Sequence, residues 1–408
     1  MKLNKFSILF LIITLNYSFS FSQIHSIEKI HSLSKSDLKK IWKKNNIPSI
    51  ICPINNPLEI YKIKYYTSWI DNSKIIASGL YYKPKTNFPV STVIYHHGTK
   101  ILTKSSNEIN GENIASLIFG VDGYAVISPD YIGLGEGEKT HLYCNKESEA
   151  RACIDFLNVT EEINNLINLK INDDIFITGY SQGGHAAMST HMILERDYID
   201  KYSIKGASPM SGPYDLAGIQ SEIAYKNYSR PFYLPYLLLG FNIEYKIWTT
   251  EDFFGIFKEE YQANVRKLFD NSNNINKINN LLPTIPILML KDSFVNEFKS
   301  NENFPLHKYL KDNSVYDWKP IAPTQLCFCE SDEEVLYENS ILAYNTFKKN
   351  GSKFLKLKSA GRNYNHNSCA GPALIYSKVF FDKKRSNKKK FISPTLQKIF
   401  LRVYSLLN

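Results

Sequence analysis

Gly179-Tyr180-Ser181-Gln182-Gly183 places a serine between small residues at the G-x-S-x-G spacing. The run before it, Asp174-Ile175-Phe176-Ile177-Thr178, reads as a buried strand, and Gly184 to Met188 reads as the opening of a helix. A sharp strand-to-helix turn here strains the serine backbone, and side chains at the flanking glycines would clash. The turn lifts the hydroxyl to the top of a sheet, near the positive end of a helix. Small-residue turns are common, so the pentapeptide alone is a weak signal. The strand before it and the helix after it mark Ser181 as a nucleophile rather than an idle turn residue.

A serine hydroxyl attacks only with a base beside it, and that base needs an acid to fix its tautomer and stabilise the imidazolium. With the nucleophile on such a turn, the chain order is serine, then Asp or Glu, then His. The acid is expected just past a late strand, and Cys329-Glu330-Ser331-Asp332-Glu333-Glu334-Val335 follows a strand read at Thr324–Phe328. Asp332 is the candidate acid, with Glu330, Glu333 and Glu334 as competitors. Glu333 and Glu334 read better as the start of the next helix, where negative charge is favourable. The candidate base is His366, on a loop after a strand at Lys353–Leu357; no other histidine follows His307. Two backbone N–H groups must face the developing oxyanion. One is expected from Gln182. The other is expected from the loop His97-Gly98-Thr99, with Thr99 favoured and Gly98 left open. His96 and His97 read as supports of that loop rather than bases.

Such groups converge only if several strand ends meet at one edge. Strands are read at Tyr61–Trp69 and Ile75–Tyr82 around an Asp71-Asn72 turn, then at Val90–His96, Tyr124–Ser128 and Ile204–Met210, besides those already named. Residues 23–57 read as polar with one helix at Ser36–Lys44. Further helices are expected at Glu147–Ile167, Glu334–Lys349 and Pro372–Phe381. Short apolar strands alternating with helices predict an α/β fold with a mostly parallel central sheet and helices on both faces. From Pro213 to about Pro320 strand-like runs largely disappear and aromatics crowd in, among them Phe232, Tyr236, Phe241 and Phe253. That stretch reads as a helical cap inserted after the sixth strand. The expected plan is a core in two parts, 23–212 and 321–381, a cap at 213–320, and a tail at 382–408.

Lys2 and Lys5 precede the apolar stretch Phe6–Leu15, and Ser20-Phe21-Ser22 supplies small residues at a cleavage spacing. Residues 1–22 therefore read as a secretory signal peptide, too short for a good membrane span, with an uncleaved anchor as the alternative. The formal charge of +10 is widely spread, and no nucleic-acid motif accompanies it. In the basic tail, Leu396, Ile399, Phe400, Val403, Leu406 and Leu407 share one helical face. Docking of that face on the domain is favoured over contact with a membrane surface. Six cysteines in an exported chain permit disulfides. Cys327 and Cys329 are expected on opposite faces of their strand. A Cys329–Cys369 bridge would tie the acid and base loops together, with buried free thiols as the alternative.

The motifs taken together resemble the bacterial secreted α/β-hydrolases related to the secretory lipase family. The likeness rests on His97-Gly98-Thr99, on Pro129-Asp130-Tyr131-Ile132-Gly133-Leu134-Gly135, and on His141-Leu142-Tyr143 with Ser148-Glu149-Ala150. It continues through Gly179 to Gly184 and through Asp332-Glu333-Glu334-Val335-Leu336-Tyr337-Glu338-Asn339-Ser340. Leu142 and Leu336 stand where the family has prolines, which alters loop stiffness but no reacting group. The resemblance implies the α/β-hydrolase fold and hydrolysis of carboxylic esters, with Ser181, Asp332 and His366 in the family roles. It implies a small-molecule or lipid ester as substrate and no cofactor or metal. The competing readings are a serine peptidase on the same fold and an inactive binding protein.

Overall fold

The computed structural model describes residues 23–101, 109, 111–269, 275–386 and 399. The signal peptide read at 1–22 and nearly all of the amphipathic tail lie outside these residues. The centre is a nine-stranded sheet. In chain order its strands are β1 (Ile24–Leu33), β2 (Leu58–Ser68), β3 (Lys74–Pro84), β4 (Val90–His96), β5 (Ala125–Pro129), β6 (Ile171–Tyr180), β7 (Ile204–Met210), β8 (Thr324–Cys329) and β9 (Leu355–Gly361). Across the sheet they run β1-β2-β3-β5-β4-β6-β7-β8-β9. The β1–β2, β2–β3 and β3–β5 pairs are antiparallel. All pairs from β5 to β9 are parallel.

Strand alternation sends successive side chains of β6 into two different apolar layers. Phe176 packs in one layer with Val93, Met210 and Phe381. Ile175 and Ile177 pack in the other with Ile94, Phe156 and Leu194. A parallel sheet covered on both faces needs such near-continuous apolar strands, and this is the α/β architecture expected. Among the described residues, no helix is long and apolar enough to cross a membrane.

The segment between β7 and β8 is helical, as expected. Its helices include Tyr233–Tyr245, Thr250–Gly255, Glu259–Leu268, Asp292–Ser300 and Pro305–Asp312. It has its own apolar cluster, in which Phe241, Phe253, Phe257, Val265 and Tyr309 are buried. The segment follows Ile204–Met210, but that is the seventh strand by count, because β1 was not read from the sequence. Two register irregularities, between Ile24 and Ser26 and between Lys29 and His31, interrupt the pairing of β1 with β2. They reset the two-residue period, so the apolar residues Ile24, Ile27, Ile30 and Leu33 recur every third position and hide the strand.

Other boundaries also shift. The stretch expected as one helix at 147–167 is two, Lys146–Asn158 and Thr160–Ile167, with buried Val159 between them. The helix expected from Glu334 begins at Glu338, so Glu333 and Glu334 belong to the loop before it. The last core helix begins at His366, not Pro372. The expectation that Cys327 and Cys329 face opposite sides fails for a simple reason: residues two apart on a strand share a face. Both lie in the layer under the helix His366–Asp382. Cys329 is bonded to Cys369, while Cys52, Cys144, Cys153 and Cys327 are free and buried.

Candidate active site

Ser181 sits at the end of β6 with φ 62° and ψ −125°, a left-handed backbone that only a constrained turn sustains in a non-glycine residue. Its N–H donates to the Met210 carbonyl at 3.1 Å. The turn closes because its glycines lack side chains. A Cβ at Gly183 would run into the His96 carbonyl, and one at Gly179 into the Gly183 carbonyl. Gln182 opens the helix Gln182–Asp197, so its N–H is among those with no intrahelical acceptor.

His366 Nε2 lies 2.8 Å from Ser181 Oγ, and its Nδ1 lies 2.8 and 2.9 Å from the two Asp332 oxygens. Asp332 Oδ1 also accepts the N–H groups of Glu334 and Val335, at 3.2 and 2.9 Å, which holds the carboxylate toward the ring. The His366 N–H donates to Glu333 Oε2 at 2.9 Å, and the His366 carbonyl accepts the Tyr180 hydroxyl at 2.5 Å. All three side chains are buried. Burial pulls the His366 pKa down, but the hydrogen bond and charge of Asp332, with Glu334 and Glu333 nearby, outweigh it and hold the ring above its ordinary value. The Cys329–Cys369 bridge joins the end of β8, just before the loop that carries Asp332, to the first turn of the helix that opens with His366. The three residues named from chain order are thus brought together, and the competitors Glu330 and Glu333 are not on the imidazole ring.

Gly98 and Thr99 border the same cavity as Ser181 and His366. A Cβ on Gly98 would lie 3.1 Å from Glu112 and 3.4 Å from the Tyr180 carbonyl, so the loop packs close to the serine turn. His97 sits under this loop, its ring nitrogens 2.6 Å from the Gly98 carbonyl and 3.1 Å from the Asp130 carbonyl. Burial drives its pKa well down, and that of His96 to about 3.

A buried polar cluster under Gln182 was not read from the sequence. The Gln182 side-chain Nε2 donates to Glu149 Oε1 at 2.8 Å and to His141 Nε2 at 2.7 Å. His185 Nδ1 is 2.7 Å from Glu149 Oε2, and its Nε2 is 2.8 Å from the Asn313 carbonyl. A carbonyl only accepts, so His185 Nε2 carries hydrogen and one further proton is shared between His185 and Glu149. The cluster anchors Gln182, the residue that follows the serine. The available signal was the pairing of Ser148-Glu149-Ala150 with the buried face of its helix. Cys144, Glu149 and His185 are the described groups close enough together to hold a metal ion. Both His185 nitrogens are already committed to Glu149 and Asn313, however, so these groups fit a hydrogen-bond network better than a ligand set.

Two cavities meet at Ser181. One, of about 310 Å³, runs into the helical segment between walls that include Leu216, Leu234, Leu238, Ile287 and Phe294. The other, of about 1010 Å³, is bordered by His366, Gly98, Thr99, Glu112, Arg230 and Glu334.

The model of the secretory lipase family matches residues 105–374, about two thirds of the chain. The chain belongs to the secretory lipase family. Among solved structures, it is similar to a putative hydrolase from Legionella pneumophila, at 28% identity and TM-score 0.80, covering 90% of this chain and 100% of that one. A rice cell wall degrading esterase from Xanthomonas oryzae matches at 22% identity and TM-score 0.78, covering 89% and 99%. Candida antarctica lipase A in its closed state matches at 16% identity and TM-score 0.63, covering 91% and 84%. No curated protein matches the chain in sequence. The family and these folds make this secretory lipase family member an α/β-hydrolase of the esterase and lipase kind, and the family name agrees with a secreted protein. The matched span contains Ser181, Asp332 and His366.

Proposed function

We propose that this family member is an exported serine esterase that cleaves carboxylic esters carrying apolar acyl groups through an acyl-enzyme. The observation that supports this most is the hydrogen-bonded series Asp332–His366–Ser181, with the apolar cavity opening on the serine. In this reading His366 Nε2 takes the Ser181 proton as Oγ bonds to the acyl carbon. The backbone N–H groups of Gln182 and of Thr99 or Gly98 receive the oxyanion. Nε2–H then protonates the departing alcohol, and water repeats the sequence to release the acid. The helices between β7 and β8 act as a cap that supplies the acyl cavity, and the substrate is a small or lipid ester. Residues 1–22 direct export, and Gln23 is the mature N-terminus.

Mature wild-type protein and Ser181→Ala are compared for fluorophosphonate labelling and for single turnovers of matched ester and amide substrates. Wild type is expected to label and to favour the ester. Ser181→Ala is expected to lose labelling and several powers of ten in turnover. Labelling that persists in the variant, or faster amide cleavage, overturns the reading.

A further inference from the structure

The cavities on either side of Ser181 differ in chemistry, and only one of them is faced by the group that protonates a leaving oxygen. His366 borders the larger cavity and not the apolar one. If the acyl chain occupies the apolar cavity, the alcohol half of the ester must leave past His366 Nε2, into the larger one. There the alcohol meets a charged group that the triad does not use. Glu334 Oε2 lies 4.0 Å from His366 Nε2, on the far side of the ring from Asp332.

Glu334 is held there by contacts to the helical segment. Arg230 Nε donates to Oε1 at 2.9 Å, and the Tyr233 hydroxyl donates to Oε2 at 3.1 Å. The Glu334 backbone carbonyl accepts from Gln220 and from the Tyr228 hydroxyl, at 3.0 and 2.8 Å. The side chain is 4% exposed, and Arg230 beside it is 27% exposed. A carboxylate has about four lone-pair sites, so these two side-chain donors leave acceptor capacity facing the cavity. An alkyl leaving group lying against it would strip water from a charged group and return no hydrogen bond, which is unfavourable. A hydroxyl on the carbon beside the one that bears the ester oxygen would stand within reach of Oε2 while Nε2–H protonates the ester oxygen.

We propose that Glu334 is a specificity-determining residue that accepts a hydrogen bond from a leaving alcohol bearing a neighbouring hydroxyl, so that the preferred substrates are partial esters of polyols such as glycerol or sugars. This rests on the esterase reading above and names the alcohol side of the same site. In the step itself, the Ser181 proton passes to His366 Nε2 as the Oγ–acyl bond forms. The acyl–oxygen bond to the alcohol breaks, and the Nε2 proton passes to the departing oxygen. The neighbouring hydroxyl keeps its proton throughout and only donates to Glu334.

The test compares kcat/KM for glycerol monobutyrate, 3-O-butyrylglucose and propyl butyrate, which share one acyl group, in wild type and Glu334→Gln. Wild type is expected to prefer at least one hydroxylated ester over propyl butyrate by tenfold or more, since a site built to bond a hydroxyl discriminates against its absence by about that factor or beyond. Which of the two is preferred separates a glycerol from a sugar source. In Glu334→Gln the preference is expected to fall about tenfold. A wild-type ratio near one overturns the proposal. So does an equal loss on all three esters with a shifted acid limb of the pH profile, because Glu334 would then act through His366 instead. A second measurement needs only wild type: with p-nitrophenyl butyrate as acyl donor, 1,2-propanediol is expected to intercept the acyl-enzyme better than 1-propanol, and equal partition counts against the proposal. If wild type turns over no ester at all, the esterase reading fails, an outcome distinct from a missing alcohol preference.

Discussion

Asp332 holds His366 through both carboxylate oxygens, and this contact governs tautomer, orientation and charge together. Asp332→Asn keeps the shape but presents a donor where the ring needs an acceptor, so turnover is expected to drop by roughly 10⁴ while the fold persists. Steady-state kinetics beside a circular dichroism melt checks both halves. The raised pKa of His366 has two consequences of opposite sign. Activity needs the neutral ring, so kcat/KM is expected to fall as pH drops through a value above the ordinary histidine pKa of about 6.5. Stability needs the charged ring. Its contribution is fully present below the ordinary value and is lost as pH rises through the raised one. An acid limb centred well below the ordinary histidine value would contradict the electrostatic account of the site.

At the scale of elements, the helix Tyr233–Tyr245 shows how one apolar segment serves two purposes. Leu238 borders the apolar cavity at Ser181. Phe241, one turn of helix away, does not. It packs edge-on against Trp248 and Tyr309, with ring centroids at 5.8 and 5.4 Å. In the sequence the two residues are alike, both lying in the apolar run from Phe232 to Phe241. Their separation predicts separable mutants. Leu238→Ala is expected to alter the dependence of kcat/KM on acyl length, where each buried methylene is worth about 0.8 kcal/mol. Phe241→Ala is expected to cost about 3–5 kcal/mol of stability and to leave the acyl-length profile of the folded protein intact. Acyl-length panels and denaturant melts on both variants decide the matter, and a shared phenotype would refute the division.

Across the whole molecule, the site is assembled from pieces far apart in the chain: the turn after β6, the loop after β8 and the helix after β9. The Cys329–Cys369 bridge closes 40 residues and fastens the last two of these pieces together. Arg230, Tyr228 and Gln220 fasten the loop after β8 to the helical segment above it. Replacing Cys329 and Cys369 together by serine is expected to remove about 2–4 kcal/mol of stability, the usual worth of such a cross-link. Turnover is expected to fall as well, because Asp332 and His366 sit within a few residues of the two tethered cysteines. A melting temperature that falls with kcat unchanged would make the bridge a stabiliser only.

The sequence by itself determined the serine turn, the chain order of Ser181, Asp332 and His366, and the layered sheet. Each of these is one-dimensional information: glycines flanking a serine, a chain order, and an apolar period that names strand or helix. Register bulges defeat that kind of reading, which is why β1 went unseen behind a three-residue recurrence. Tertiary structure alone decided the rest. Glu334 looked like a favourable first-turn helix residue, yet the helix starts later and the carboxylate turns to Arg230 and His366. Glu149, an acidic residue within a buried helix face, found its purpose only when Gln182, His141 and His185 closed around it. Which cysteine meets which, and whether an apolar side chain faces a cavity or a core, depend on directions through space. Those directions arise only after the elements pack, because the energies that set them come from contacts between residues distant in the chain.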